Sequence, residues 1–491
     1  MKKVSKKAKV ITRFAPSPTG LFHIGSARTA LFNYLFAKNK GGQFILRIED
    51  TDKERSKLEF EKDIIDSLDW LGVKCDIGPI RQSERIQIYK KYLEKLLKDN
   101  KAYYCFCTQE ELDAVRQDQS SRGVSPKYNG KCSNLSKEEI KNNLKDGKKS
   151  VIRFRTPIRK VKFKDLIRAE IEFDGSLIGD FVIAKDLETP LYNFTVVVDD
   201  SEMAVSHIIR GEDLLPNTPK QIFIEDALGF PQPQFAHLSL ILGPDRSKLS
   251  KRHGATSVSE YRQKGYLPEV IVNFISFLGW NPGTDKEVYS LKELEQDFSL
   301  ENISKGGAIF NVKRLDYLNG LYIRQKSLKE LTELCIPFLV KRNLIKPDIS
   351  RGELDEISKM ISLYHERLKY ISEIPDLIDF FLKDKLEYLK EMLVWKDATN
   401  RETKHIIDKL INILSGIEVG EWKKGNLESI LLRQAEEVSL EIKNKKDRGY
   451  MLWPFRVALT GKEFSAGPFE IAEILGKERV LDRLNQAKEL L

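Results

Sequence analysis

Long hydrophobic runs are absent from this sequence of 491 residues. No apolar stretch approaches the roughly 18 residues that a membrane-spanning helix needs. The basic start of the chain, residues 1–9, is not followed by the apolar core of a secretory signal. These absences argue against a membrane-spanning protein and predict one that stays in the cytoplasm.

Cysteine is scarce, and the two signs of charge are nearly balanced. The five cysteines are not paired in the manner of a secreted disulfide framework, which favours reduced thiols or a metal site. The net charge is +9, and the sequence contains no internal repeat. So small a surplus suits a partner with a phosphate backbone without requiring one. A hydrophobic content of 41% is typical of a globular protein, and the length predicts about three domains.

The clearest local pattern lies near the start of the chain. Residues 10–14 are strand formers, a loop rich in proline and glycine starts at Pro16, and residues 27–38 repeat apolar side chains like the buried face of a helix. Residues 43–48 form a second apolar strand, which we expect to be parallel to the first because a helix lies between them. The pattern predicts a βαβ unit. Its first loop lies where ligands bind in open α/β sheets.

Two loops have the composition of a phosphate site. His23 and Gly25 lie at the start of the predicted helix, where backbone N–H groups and the helix dipole favour an anion. Residues 243–254, GPDRSKLSKRHG, place two lysines and two arginines in one short loop. Either feature alone is as consistent with a packing histidine or a solvated turn as with a binding site. Together they favour a phosphate ligand.

These two segments resemble the signature motifs of class I aminoacyl-tRNA synthetases. HIGS at 23–26 corresponds to the motif usually written HIGH, and KLSKR at 248–252 to the motif written KMSKS. Ser26 replaces the second histidine, and small residues are usual there in the glutamyl branch. Four further segments resemble glutamyl-tRNA synthetases in order and spacing: RFAPSPTG at 13–20, RIEDTD at 47–52, IRGED at 209–213 and WPFRVALTG at 453–461. The resemblance covers nearly the whole chain.

The resemblance implies an α/β fold with a Rossmann-type catalytic domain, split by an α+β insertion and followed by all-α anticodon-binding domains. The expected domains are the first half of the catalytic domain at 1–104, an acceptor-end-binding insertion at 105–201, the second half of the catalytic domain at 202–257, a stem-contact helical domain at 258–324 and an all-helical anticodon-binding region at 325–491.

Pattern within these domains predicts several elements. Residues 190–200 are expected to return the chain to the main sheet as a strand carrying Tyr192, and residues 204–210 to form a strand that ends in Arg210. A hairpin turn is predicted at 174–176. Ser327 and Glu330 form the sequence signature of a helix-capping box.

The implied activity is that of a glutamate–tRNA ligase. The α-carboxylate of L-glutamate attacks the α-phosphorus of ATP and releases pyrophosphate. The acyl group then moves to the 3' end of tRNA(Glu), releasing AMP. Neither step requires a protein nucleophile, so the enzyme must position the reactants and stabilise charge on phosphate oxygens, with Mg²⁺ neutralising the remainder.

Site residues follow by resemblance. The catalytic residues are His23, Lys248 and Lys251. The residues expected to bind ATP are Pro16, Ser17, Thr19, Gly20, His23, Gly25, Ser26, Lys248, Ser250 and Lys251. Those expected to bind glutamate are Arg13, Ala15, Ser17, Glu49, Tyr192 and Arg210. Glutamate carries two carboxylates and one ammonium, which call for guanidinium groups and an acid. Which arginine binds which carboxylate stays open.

The predicted insertion contains three of the five cysteines. Cys105 and Cys107 form a C-x-C turn that can offer two thiolates to one ion, and structural zinc takes four ligands. Some zinc-bearing relatives have a Tyr-x-x-x-Cys pattern, which Tyr128 and Cys132 match. The prediction is a structural Zn²⁺ site of Cys105, Cys107, Tyr128 and Cys132, against the alternative of metal-free thiols. The other two cysteines, Cys75 and Cys335, are expected to be packing residues.

Two other functions compete with this reading. One is a paralogue that transfers glutamate to a nucleoside within tRNA, but that family resembles only the catalytic part of the chain. The other is a non-catalytic tRNA-binding protein, against which the intact His23, Lys248 and Lys251 argue. Glutaminyl-tRNA synthetases share the motifs but have β-barrel anticodon domains. We expect a monomer, and charging of tRNA(Gln) stays open.

Overall fold

The computed structural model describes residues 9–491, except the side chain of Lys251, and its chain forms two units. The first unit contains the described chain up to Arg262 together with Pro268–Leu315, and the second contains Gln263–Leu267 and Asp316–Leu491. The strands are β1 (Ile11–Phe14), β2 (Gln43–Ile48), β3 (Ile77–Arg81), β4 (Ala102–Cys105), β5 (Val151–Phe154), β6 (Lys160–Asp165), β7 (Ala169–Asp174), β8 (Phe181–Ala184), β9 (His207–Gly211), β10 (Gln234–Leu238), β11 (Ile241–Leu242) and β12 (Ala308–Ile309).

The α-helices are α1 (Ile24–Asn39), α2 (Leu58–Trp70), α3 (Ile86–Lys98), α4 (Gln109–Ser121), α5 (Lys137–Lys145), α6 (Tyr192–Glu202), α7 (Thr218–Leu228), α8 (Val258–Gln263), α9 (Pro268–Ser276), α10 (Leu291–Asp297), α11 (Val312–Gln325), α12 (Leu328–Lys341), α13 (Arg351–Ser362), α14 (Ile374–Leu382), α15 (Asn400–Ser415), α16 (Lys424–Lys443), α17 (Gly449–Thr460) and α18 (Pro468–Leu490). Among residues 9–491, no helix combines the length and apolar character needed to cross a membrane.

The predicted βαβ unit is confirmed by the first sheet. Strands β1, β2 and β3 are adjacent in that order, and both pairings are parallel. Helix α1 connects β1 to β2 and begins at Ile24, three residues earlier than predicted. The earlier start arises because His23 itself caps the helix, with its side chain accepting the N–H of Gly25.

The second sheet has the order β7-β6-β10-β9. Its strands β6, β10 and β9 are parallel, whereas β6 and β7 form an antiparallel hairpin. The hairpin turn lies at residues 166–168, so the turn predicted at 174–176 is wrong; a short 3₁₀ helix, Gly175–Leu177, follows β7 instead. Asp165 stabilises the true turn because its Oδ1 accepts the backbone N–H groups of Ile167 and Arg168. The predicted insertion therefore contributes two strands to this sheet.

The strand predicted at 190–200 is also wrong, because this segment forms helix α6. The run Thr195–Val198 is buried on every side, and α6 packs against α3, α7 and strand β8. A helix that is apolar all round has no 3.6-residue pattern, and β-branched residues then favour a strand reading. The predicted strand at 204–210 is confirmed as β9, shifted to His207–Gly211.

The second unit is helical, as predicted. The capping box of Ser327 and Glu330 is formed at the start of α12. Helices α15, α17 and α18 pack together, and the buried Arg483 donates to the carbonyl oxygen of Phe380 at 2.6 Å and to that of Leu459. As far as the structure describes this unit, it contains no strand.

Candidate active site

A cavity of about 550 Å³ opens in the first unit at the carboxyl ends of β1, β2 and β9. Parallel α/β sheets bind ligands at this edge. The cavity is lined by all six residues predicted to bind glutamate: Arg13, Ala15, Ser17, Glu49, Tyr192 and Arg210. It is also lined by most of the residues predicted to bind ATP: Pro16, Ser17, His23, Gly25, Ser26 and Lys248. Thr19, Gly20 and Ser250 are not among the lining residues, and the side chain of Lys251 lies outside the described part of the chain.

Beneath the cavity lies a buried ion-pair network of Arg13, Arg47, Asp199 and Asp200. Asp200 Oδ1 is 3.1 Å from Arg13 Nε and 2.7 Å from Arg47 Nη1. Burial opposes ionisation of Asp200, but the two guanidinium groups hold its pKa below the usual value. The network fixes Arg13 before any ligand binds, since two of its guanidinium nitrogens, Nε and Nη2, already donate to Asp200.

Asp199 anchors the other end of the network. Its carboxylate accepts hydrogen bonds from Arg85 Nε at 2.7 Å, from the Tyr89 hydroxyl at 2.7 Å and from Gln82 Nε2 at 2.8 Å. Arg47 Nε lies 3.6 Å from the same carboxylate. Sequence reasoning missed Asp199 and Asp200. Two adjacent acids directly after a run of buried valines were the available signal.

Arg210 differs from Arg13 in its partners. It is only 3% exposed, and burial lowers its pKa. Its Nε donates to His237 Nε2 at 3.1 Å, and its Nη2 donates to Thr218 Oγ1 at 2.8 Å. Within residues 9–491 no carboxylate forms an ion pair with Arg210, and its Nη1 has no hydrogen-bond partner. A buried cation of this kind is suited to an anionic ligand.

Glu49 follows β2 and is the acidic member of the cavity. Its Oε1 lies 3.5 Å from Arg47 Nη2 but makes no hydrogen bond within the described chain. Burial raises the pKa of Glu49 to about 7, although Arg47 and Arg13 oppose that shift. A carboxyl group with spare acceptor capacity can accept an ammonium group. Tyr192 begins α6 and lines the same cavity, where burial raises the pKa of its hydroxyl.

His23 lies at the opening of α1. Because its Nδ1 accepts the N–H of Gly25 at 3.0 Å, a neutral imidazole must carry its proton on Nε2. Burial and the neighbouring Lys248 both lower the pKa of His23, which favours this neutral form. His23 therefore offers one N–H donor at the start of α1, where the N–H groups of Ile24 and Gly25 already have hydrogen-bond partners.

Backbone pairing joins the first signature segment to the residues that directly follow the basic loop. Ile24 N donates to Thr256 O at 2.8 Å, and Val258 N donates to Phe22 O at 2.9 Å. The end of the basic loop, residues 243–254, is thereby held beside the start of α1. Within the loop, Asp245 accepts Ser247 N at 3.0 Å and Arg252 Nη2 at 3.0 Å. Hydrogen bonds from Ser247 lower the pKa of Asp245, a residue that sequence reasoning did not single out.

The four predicted zinc ligands lie together in the first unit. The Sγ atoms of Cys105, Cys107 and Cys132 are all within 4.8 Å of one another, and the Cys107–Cys132 separation is 3.6 Å. The Tyr128 hydroxyl is 3.4 Å from Cys105 Sγ and 3.5 Å from Cys107 Sγ. With Zn–S bonds of about 2.3 Å, a tetrahedron separates its sulfurs by about 3.8 Å. The donor set and its spacing fit zinc.

The remaining cysteines are separate from this cluster. Cys335 is fully buried in the second unit, which confirms its packing role. Cys75 is only half-buried, and its thiol lies 3.8 Å from Gly78 O.

Two family models of known proteins match this chain, one in its amino-terminal part and one in its carboxyl-terminal part. A family model described as "tRNA synthetases class I (E and Q), catalytic domain" matches residues 9–317, and one described as "Anticodon binding domain" matches residues 330–488. The chain thus has the organisation of a class I tRNA synthetase, with the described cavity in the catalytic part.

Individual relatives narrow the class. Glutamate–tRNA ligase 2 of Thermoanaerobacter pseudethanolicus is 46% identical over 485 residues, which cover 99% of each chain. Glutamate–tRNA ligase 1 of Caldicellulosiruptor saccharolyticus is 47% identical over 97% of this chain and 98% of the relative. The crystal structure of a glutamate tRNA ligase from Elizabethkingia meningosepticum, in complex with its amino acid, matches with a TM-score of 0.82 at 33% identity and covers 98% of this chain and all of that one. The chain belongs to the glutamate–tRNA ligase family, which confirms the predicted family and fold.

Proposed function

We propose that the protein is a glutamate–tRNA ligase, which activates L-glutamate with ATP and transfers it to the 3' end of tRNA(Glu). One observation carries this assignment beyond the family relationship. A single cavity contains a buried guanidinium with no carboxylate partner in the described chain, Arg210, and a buried carboxyl with an unused acceptor, Glu49. Glutamate supplies the anion and the ammonium that this pair lacks.

Arg210 is assigned to the side-chain carboxylate of glutamate. That carboxylate keeps its charge through both steps of the reaction, whereas the α-carboxylate loses its charge when it becomes an acyl-adenylate. A buried arginine bound to the α-carboxylate would be left uncompensated after activation, at a large desolvation cost. Arg13, already neutralised by Asp200, suits the group whose charge changes. Glu49 accepts the ammonium, and Ala15, Ser17 and Tyr192 complete the pocket.

The phosphates of ATP are assigned to the opening of α1 and the basic loop. The Nε2–H of His23 donates to phosphate oxygens near the positive end of the α1 dipole, while Lys248 and Lys251 stabilise the charge that develops as pyrophosphate leaves. Mg²⁺ accompanying ATP supplies further positive charge on these oxygens. The predicted ATP contacts of Thr19, Gly20 and Ser250 stay part of this proposal.

The remaining assignments concern structure and partners. Cys105, Cys107, Tyr128 and Cys132 would hold a structural zinc ion in the part of the chain expected to bind the tRNA acceptor end. The second unit, within which residues 330–488 match the anticodon-binding family, would recognise the anticodon. The enzyme is proposed to act as a monomer in the cytoplasm.

The direct test of catalysis is exchange of labelled pyrophosphate into ATP, with and without glutamate and with and without tRNA(Glu). The proposal predicts exchange that requires glutamate, and a synthetase of this family is expected to require the tRNA as well. Binding of tRNA by the folded protein without any exchange would contradict it and favour a non-catalytic tRNA-binding protein. Exchange without subsequent charging of tRNA would favour the nucleoside-modifying alternative.

A further inference from the structure

Three buried side chains form a hydrogen-bonded chain behind the cavity. Asp165 ends β6, His237 lies in β10 and Arg210 lies in β9, and these three strands are neighbours in one parallel arrangement. His237 Nδ1 is 2.6 Å from Asp165 Oδ2, and Arg210 Nε donates to His237 Nε2 at 3.1 Å. Each of the three residues is 3% exposed or less. Only Arg210 lines the cavity.

The chain of contacts fixes the tautomer of His237. Although burial opposes ionisation of Asp165, the hydrogen bond from His237 lowers its pKa, so its oxygens act as acceptors. His237 must therefore carry its proton on Nδ1, which leaves Nε2 as the acceptor that faces Arg210. Burial lowers the pKa of His237 and works against a doubly protonated ring, which would oppose one N–H to another.

Thr218 supports the same arrangement. Its Oγ1 accepts Arg210 Nη2 at 2.8 Å and lies 3.2 Å from His237 Nε2, to which its hydroxyl can donate. Two nitrogens of the guanidinium group are thus held by neutral acceptors. The third, Nη1, has no partner in the described chain and is left for a ligand.

The neutral acceptors of Arg210, His237 and Thr218, leave its positive charge available to a ligand. A carboxylate bound directly to Arg210 would neutralise its charge and compete with the ligand, as Asp200 does for Arg13. An imidazole orients the guanidinium group and leaves most of its charge available. A pocket that retains this charge favours a carboxylate over the neutral amide of glutamine.

We infer that His237 is a positioning residue for Arg210, and that Asp165 acts through His237 by selecting the tautomer that accepts the guanidinium N–H. The inference rests on the proposed function, because it assigns the Asp165–His237 pair to the glutamate-binding step of that reaction. It predicts a defect confined to glutamate, with ATP binding unchanged.

Two substitutions of His237 separate its two hydrogen bonds. The amide of glutamine reaches the position of Nε2, so His237→Gln keeps an acceptor for Arg210 and loses the hydrogen bond to Asp165. The amide of asparagine reaches the position of Nδ1, so His237→Asn keeps the hydrogen bond to Asp165 and loses the one from Arg210. Loss of one hydrogen bond to a charged group corresponds to a change of about ten-fold or more in binding. We expect His237→Asn to raise the KM for glutamate by that factor and His237→Gln to raise it far less.

Pyrophosphate exchange with varied glutamate and varied ATP measures both constants, and circular dichroism checks the fold. His405→Asn, at an exposed histidine of the second unit, is the matched control. The inference is overturned if the two His237 variants raise the KM for glutamate equally, or if the KM for ATP rises in parallel. Absence of glutamate-dependent exchange in the unmodified protein would instead contradict the proposed function, so the two failures are distinguishable.

Asp165→Asn tests the tautomer. An asparagine amide that donates to Nδ1 moves the imidazole proton to Nε2, where it opposes the Nε–H of Arg210. We expect this variant to raise the KM for glutamate. Glutamine at 237 has no tautomer to select, so the double variant Asp165→Asn/His237→Gln should recover most of the loss. Asp165 also stabilises a turn, and a purely structural role predicts no recovery, which would overturn the part assigned to Asp165.

Discussion

Charged side chains lie in opposite environments in two regions of the first unit. One region is the floor of the cavity, formed by the ion-pair network of Arg13, Arg47, Asp199 and Asp200. The other is the basic loop at residues 243–254. In the floor, Arg47 and Asp200 are at most 5% exposed and are paired with each other before any ligand binds. In the loop, the ion pair of Arg252 and Asp245 is 64% and 51% exposed. Water and salt screen exposed charges, whereas buried charges interact strongly and are costly to leave unpaired. In the proposed mechanism, amino-acid recognition is therefore built into the fold, while the loop charges act mainly on bound phosphate.

The largest expected effect belongs to the loop. Lys251→Ala should lower glutamate-dependent pyrophosphate exchange by about a hundred-fold or more, because a cation that stabilises charge only in the transition state contributes mainly to rate. The thermal unfolding midpoint should not change. Lys74→Ala, at an exposed lysine of the same unit, serves as the control. Unchanged exchange in the Lys251 variant would remove the loop from the mechanism.

The second prediction concerns the stability of the first unit. Asp200→Asn removes the ion-pair partner of the buried Arg13 and the carboxylate nearest to Arg47, although Asp199 and Glu49 stay close to Arg47. An uncompensated buried Arg13 should destabilise the first unit by about 3 kcal/mol or more. Thermal and urea unfolding measure the change. Asp245→Asn in the loop is the matched variant and should leave the unfolding midpoint nearly unchanged, since its ion pair is exposed. Equal destabilisation by both variants would break the comparison between the floor and the loop.

The third prediction concerns the binding of glutamate by Arg210. Arg210→Ala should raise the KM for glutamate by about thirty-fold or more, because the side-chain carboxylate is then buried without the cation assigned to it. The KM for ATP should change little. Steady-state exchange kinetics with each substrate varied in turn supply both values, and parallel increases would count against the assignment of Arg210.

The smallest effect is a pH dependence. Glu49 must be ionised to bind an ammonium group, and its pKa of about 7 means that the protonated form prevails at lower pH. The KM for glutamate should therefore fall by about ten-fold between pH 6 and pH 8, as expected for one ionisation. The charged groups that act on this carboxyl group are Arg47, Arg13, Asp200 and Asp199. Glu49→Gln should have a high KM with a flattened profile; an unaltered profile would contradict the role of Glu49.

Local pattern was sufficient for some of these features. The parallel β1-α1-β2 unit and the C-x-C turn of Cys105 and Cys107 depend on residues that are close in the sequence. Tyr128 and Cys132 were added to that turn from the resemblance to zinc-bearing relatives. Helix α6 was read as a strand, since a fully buried segment has no pattern that separates the two.

The side chains that pair with the cavity residues could not be predicted from local sequence pattern. Arg13 meets Asp200 across 187 positions of the chain, and His237 meets Asp165 across 72. Nothing in the spacing of these residues encodes these contacts. One depends on where helix α6 lies relative to β1, and the other on the strand order of the second sheet. Resemblance to a family identified Arg13 and Arg210 as site residues. Only the fold separates the arginine that is already paired with a carboxylate from the one that is not.

The most direct test of the account is aminoacylation of purified tRNA(Glu) and tRNA(Gln) with labelled glutamate at the same moderate salt concentration. The account predicts that the protein charges tRNA(Glu) with glutamate, and the tRNA(Gln) arm measures how far that specificity extends. Failure of the correctly folded protein to charge either tRNA would contradict the assignment.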